Sequence, residues 1–166
     1  LYLPPEVQGY WFTILGLAAL IVFADLGFST IITQFAAHEF AYLNFDKSGR
    51  IVGNEVNLGK LSSFFIFSIK WMACMVVITI PIIFIIGSYI FSQRGTNVNW
   101  FLPWTIYLIG TAVTFLNNAL LCFIEGCNLV GLAQKIKLYG SLSMFLIMII
   151  GLFIGLDLLA LSISML

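Results

Sequence analysis

The sequence predicts an all-α polytopic integral membrane protein. Hydrophobic residues make up 61% of the chain and charged residues only 8%. The apolar residues gather into runs long enough to cross a bilayer, and the positive charges alternate between successive connections. A soluble domain usually gives about a quarter of its residues to charge. A bilayer removes that need because lipid tails accept an apolar exterior, and a mean hydropathy of +1.10 fits such a solvent.

Four runs reach the roughly 20 apolar residues that a spanning helix needs. The first covers about 9–37, Gly9 to Ala37, and is interrupted only by Asp25 and a few small polar residues. The second covers 71–91, Trp71 to Phe91, after an apolar approach from Leu61 to Ile69. The third covers 100–125, and the fourth 138–155. A fifth helix begins in 158–166 and is cut short there. Runs of this length favour helices over barrel strands, which are shorter and alternate in polarity. The chain starts at Leu1 without an initiator Met and stops inside the apolar run Leu158 to Leu166. It therefore reads as a single membrane-domain fragment, 1–166, of a longer protein.

The connections are unequal. Residues 44–60 carry Lys47, Arg50 and Lys60; residues 92–99 carry Arg94; residues 126–137 carry Lys135 and Lys137. The leading segment and 155–157 hold no Lys or Arg, only Glu6 and Asp157. By the positive-inside rule, 44–60 and 126–137 are expected in the cytoplasm and the other connections outside. Tyr10, Trp11, Trp100 and Trp104 then fall at outer ends and Trp71 at an inner end, as interfacial aromatics do.

Asp25 is the costliest residue for a bilayer to hold. On a regular helix it lies roughly 24 Å from Gly9 and roughly 18 Å from Ala37, near mid-membrane. A carboxylate there costs about 3 kcal/mol on insertion scales unless it is protonated, hydrated or paired. Helical spacing places Ala18, Val22, Ser29, Thr33 and Ala36 on its face. The functional reading is a protonatable coupling site or a cation ligand, with Ser29 and Thr33 on a cavity wall. The plainer reading is a structural acid hydrogen-bonded to a neighbouring helix near Gly27.

The third helix carries a polar stripe. Tyr107, Thr111, Thr114, Asn118 and Glu125 fall within an arc of roughly 60°, with Asn117 beside it. The stripe is expected either to line a hydrophilic cavity that closes at Glu125 or to make interhelical hydrogen bonds. Lys70, at the inner edge of the second helix, and Lys135 and Lys137 are topology signals that also suit an anionic headgroup. Pro81 lacks the amide that would close a helical bond, so a kink is expected there.

Several classes are excluded. The formal net charge is zero and no basic cluster tracks a phosphate backbone, so no nucleic-acid partner is expected. Cys74, Cys122 and Cys127 read as small apolar fillers. His38 is the only histidine, and no ligand spacing for a metal is present. No catalytic constellation, P-loop or nucleotide fingerprint appears, so neither an enzyme nor a cofactor is expected.

The run Leu3-Pro4-Pro5-Glu6-Val7-Gln8-Gly9-Tyr10-Trp11, followed by Asp25-Leu26-Gly27-Phe28-Ser29, resembles the second helix of bacterial polysaccharide-biosynthesis membrane proteins. These are the O-antigen and oligosaccharide-lipid flippases of the multidrug/oligosaccharidyl-lipid/polysaccharide exporter superfamily. Phe123-Ile124-Glu125-Gly126 with Lys135-Ile136-Lys137-Leu138 resembles the end of that family's fourth helix and the start of its fifth. Gly155-Leu156-Asp157-Leu158-Leu159-Ala160 resembles the turn into the sixth. The resemblance implies part of the N-terminal bundle of a transporter with about 12 to 14 helices in two pseudo-symmetric bundles. It also implies a multi-pass location in the bacterial inner membrane. The expected cargo is an undecaprenyl-diphosphate-linked oligosaccharide, moved from the cytoplasmic to the periplasmic leaflet by alternating access for surface polysaccharide or O-antigen. Proton or sodium coupling would give Asp25 a role, and other polysaccharide-assembly proteins are expected neighbours. One departure stands out: a diphosphate cavity should be cationic, yet no basic residue is plainly mid-membrane, Lys70 being the nearest. Either other helices supply the cations or the cargo differs. Two rival functions stay open: a cation-coupled multidrug exporter of the same superfamily, and a non-transporting membrane scaffold for polysaccharide assembly.

Overall fold

A computed structural model describes residues 4–94 and 98–166. Gly95, Thr96 and Asn97 of the 92–99 connection, and Leu3 of the opening motif, lie outside the described residues. The described chain is mostly helical, and four of its helices are long and apolar enough to cross a membrane.

The expected regular helix over 9–37 is replaced by a broken one. Helix α1 spans Pro5–Ala18. Pro at its first position is pre-set for helical φ, and Glu6 in the first turn favours the positive helix end. A 3₁₀ turn, Ala19–Ile21, and a short helix α2, Val22–Asp25, follow. The chain then leaves the helix at Leu26 (φ 47°) and Gly27 (φ 76°) and re-enters it as α3, Phe28–Phe40. Gly27 meets no Cβ penalty in this left-handed region, whereas Leu26 does.

The connection expected over 44–60 is part strand and part helix. Strand β1, Leu43–Phe45, pairs antiparallel with β2, Ile51–Gly53, in the register Asn44 opposite Val52. The Asp46 carboxylate closes the turn by accepting from the Ser48 amide at 2.7 Å, the Ser48 hydroxyl at 2.6 Å and the Arg50 amide at 3.0 Å. Helix α4 then runs over Glu55–Ser92, well before the expected start at Trp71, and continues through Pro81. Its 38 residues extend for roughly 57 Å, against about 30 Å of hydrocarbon. A helix of that length outreaches the hydrocarbon thickness, so the charged residues at its start, Glu55 and Lys60, need not enter lipid.

Helix α5, Phe101–Gly126, matches the expected third helix to within a residue at each end. Helix α6, Val130–Ile154, starts eight residues before the expected 138. The expected 126–137 connection is therefore helical from Val130 onward, leaving only Cys127 to Leu129 between the helices. A turn with Gly155 at φ 82° and Asp157 at φ 46° leads into α7, Leu158–Ser164.

The chain forms two compact units. In the unit of Leu1–Ala24, Val76–Thr114 and Tyr139–Leu166, the core gathers Tyr10, Ile14, Phe91, Trp104, Leu108 and Leu161. Phe91 packs between Tyr10 at 5.4 Å and Trp104 at 5.3 Å, centroid to centroid. The Ser162 hydroxyl donates to the Pro103 carbonyl at 2.7 Å, holding α7 to the start of α5. In the unit of Asp25–Met75 and Phe115–Leu138, Ala36, Leu43, Leu61 and Cys127 form the centre, flanked by Phe40, Leu58 and Phe123. Phe35 stacks on Phe64 at 4.0 Å, tying α3 to α4.

Candidate functional site

Asp25 caps the helix that follows it. Its Oδ1 accepts the Ser29 amide at 3.1 Å and the Ser29 hydroxyl at 2.6 Å. An amide in the first turn of α3 has no carbonyl four residues back to bond, so the carboxylate fills a real vacancy. Its negative charge also suits the positive end of the helix. Asp25 Oδ2 has no hydrogen-bond partner among the described residues, and no cation pairs with the carboxylate there.

Ser29 passes the contact on. Its hydroxyl accepts from Asn118 Nδ2 at 2.9 Å while donating to Asp25, so the sequence Asn118–Ser29–Asp25 is a directed chain of donors. One turn along α3, the Thr33 hydroxyl lies 3.2 Å from both the Ser29 and Cys122 carbonyls. Gly126 lets the two backbones approach: a Cβ there would stand 2.5 Å from Ala36 Cβ and 2.7 Å from the Thr33 carbonyl oxygen. Small residues that admit a backbone, with hydroxyl and amide bonds across the seam, are how helices associate in lipid.

The structure thus brings Asp25, Ser29, Thr33 and Asn118 together. The rest of the stripe on α5 has mixed surroundings. Tyr107 and Thr111 are buried within their own unit, where the Thr111 hydroxyl bonds the Tyr107 carbonyl at 2.8 Å. Thr114 and Asn117 are exposed. Glu125 is half-buried and ion-paired to Lys137 at 2.6 Å, with Gln134 donating at 3.0 Å. Lys137 is therefore engaged, while Lys70 and Lys135 are exposed and have no ion pair among the described residues.

No family model, curated protein or solved structure matches this chain. The chemistry available to it follows from its own side chains. An acid with one oxygen bonded and one open can bind a proton or a cation at Oδ2 while keeping its cap through Oδ1. Among the described residues, no three His, Cys, Asp or Glu gather as a metal site would require.

One buried group escaped the sequence reading. Glu39 is 4% exposed and accepts from Asn57 Nδ2 at 2.7 Å, with His38 Nδ1 at 3.2 Å. Burial pushes its carboxyl up, but the Asn57 bond, His38 and the charge of Lys60 outweigh this and hold it below the ordinary value. A depressed folded pKa contributes stability that is present above the unfolded value, 4.5, and is lost as pH falls through the folded one. The melting temperature of the wild type should therefore fall between pH 6 and strongly acidic pH by more than that of Glu39→Gln. Parallel curves for the two proteins would refute this. No spacing rule links Glu39 to Asn57, because the hairpin between them sets the approach. Burial raised no such surprise at Cys127: it pushes the thiol up to about 11, in keeping with the small apolar filler that the sequence suggests. Cys122 is also buried and Cys74 exposed, all three as free thiols.

Proposed function

We propose that this chain is part of an ion-coupled transporter that flips a lipid-linked oligosaccharide across the bacterial inner membrane by alternating access. The observation that carries the transport reading is the helix broken at Leu26–Gly27 beside a carboxylate with one open oxygen. Discontinuous spanning helices are where transporters build their ion sites, because the break exposes backbone and aims helix ends at the ligand. The ordered sequence resemblance supports the cargo. In this reading Asp25 binds the coupling proton or sodium ion, and the Ser29–Asn118 chain reports its state to α5. Lys70 and Lys135 attract the anionic headgroup from the cytoplasmic side. In this reading the segments 44–60 and 126–137 are cytoplasmic.

A strain lacking the full-length gene should accumulate untranslocated lipid-linked repeat units on the cytoplasmic side and lose surface polysaccharide. Normal surface polysaccharide in that strain would sink the proposal. Raised sensitivity to cationic drugs instead would point to the multidrug exporter.

A further inference from the structure

Arg94 lies two residues beyond the end of α4 and is exposed, yet its guanidinium is fixed. Nη2 donates to the Thr13 hydroxyl oxygen at 2.8 Å, and Cζ lies 5.2 Å from the centre of the Tyr10 ring. Thr13 gives its own proton to the Gly9 carbonyl at 2.7 Å, so its oxygen faces Arg94 as an acceptor. Tyr10 is 1% exposed, locked against Phe91. Gly9 is the residue next to Nη1: a side chain there would begin 3.4 Å from that nitrogen.

Among the described residues the charge has no counter-ion within ion-pair distance. Among the described residues the ion pairs are His38–Glu39 and Lys137–Glu125, and neither involves Arg94. A guanidinium carries five N–H donors in a rigid fork, and Thr13 is its one hydrogen-bond partner among the described residues. Holding one helix to another would need only that bond. A pre-oriented fork with donors left over, at the end of a spanning helix, suits an acceptor with several oxygens and a negative charge. Phosphate matches that fork bidentately, and phosphate is the anion that a bilayer supplies at this level.

We propose that Arg94, positioned by Thr13 and Tyr10, is a binding site for a phosphate group at the membrane surface. Only its assignment to the outer leaflet rests on the orientation proposed above. The phosphate belongs either to a phosphodiester lipid headgroup or to a terminal phosphate or diphosphate. The full-length protein in mixed vesicles of phosphatidylglycerol and phosphatidylcholine, extracted and weighed by native mass spectrometry, should retain phosphatidylglycerol. Arg94→Gln should lower that retention about tenfold, the loss expected for a charge-assisted bond. Thr13→Val keeps the charge but frees the fork, and should lower it about threefold with the melting temperature little changed. Displacement of the lipid by inorganic pyrophosphate would assign the site to a terminal phosphate; persistence would assign it to the headgroup. Retention unchanged in Arg94→Gln would overturn the site and leave Arg94 a tie between α1 and α4. If Arg94→Gln does not fold, unchanged retention in Thr13→Val overturns it equally. Normal surface polysaccharide in the deletion strain refutes the flippase reading and leaves this result standing.

Discussion

Asp25→Leu is expected to lower the stability of the purified protein by about 2 kcal/mol, and Asp25→Asn by less than about 1 kcal/mol. The difference comes from what each side chain can accept. Leu leaves the Ser29 amide without its cap and takes away the oxygen that receives the Ser29 hydroxyl. It also leaves Leu26 in the left-handed region with nothing to offset the strain. Asn keeps a carbonyl oxygen that can replace Oδ1, and loses only charge. That separates structure from function. If Asp25 binds the coupling ion, Asp25→Asn should fold and insert normally while transport falls by an order of magnitude or more and its dependence on pH flattens. Transport at the wild-type rate with an unchanged pH profile would make Asp25 a cap and nothing else. Stability of Asp25→Leu equal to the wild type would remove the cap itself.

The spans were legible because composition reports the solvent, and a long apolar run has few alternatives. Their ends were less so. Hydropathy marks where a helix is in lipid, and neither α4 nor α6 stops there: Glu55 to Lys60 and Val130 to Lys137 are helical beyond the apolar runs. The break in the first span hid behind Leu26, a residue that rarely adopts positive φ. Its local signals were present in Asp25, Gly27 and Ser29, an acceptor, a permissive residue and a capped donor at the right spacing. The polar stripe on α5 could be placed on one face by counting, but its partners could not. Asn118 meets Ser29 across 89 residues of sequence, and Glu125 meets Lys137 only because α6 begins early enough to carry Lys137 on a helix. Periodicity gives direction; the identity of what stands opposite depends on tertiary packing.

That packing is tightest at Gly126, where the second large effect is expected. Gly126→Leu should destabilise the protein by about 3 kcal/mol and lower its melting temperature. Even the first carbon of a side chain would stand 2.5 Å from Ala36 Cβ, 2.7 Å from the Thr33 carbonyl oxygen and 3.2 Å from the Ala37 amide nitrogen. Two of those three atoms are backbone, so no rotamer change relieves them. The helices must separate, and separation stretches the Thr33 hydroxyl away from the Cys122 carbonyl and Asn118 away from Ser29. Gly126→Ala should cost less, about 1–2 kcal/mol, and Ala36→Gly in the same chain should restore part of it. Recovery cannot be complete, because the Thr33 carbonyl remains in the way. A Gly126→Leu protein that melts with the wild type would show that α3 and α5 do not meet at this distance. If the seam does open, the hydrogen bond from Asn118 to Ser29 is lost with it. On the transport reading proposed above, Gly126→Ala should then weaken the response of transport to pH as well as stability, whereas a substitution at exposed Asn117 should change neither.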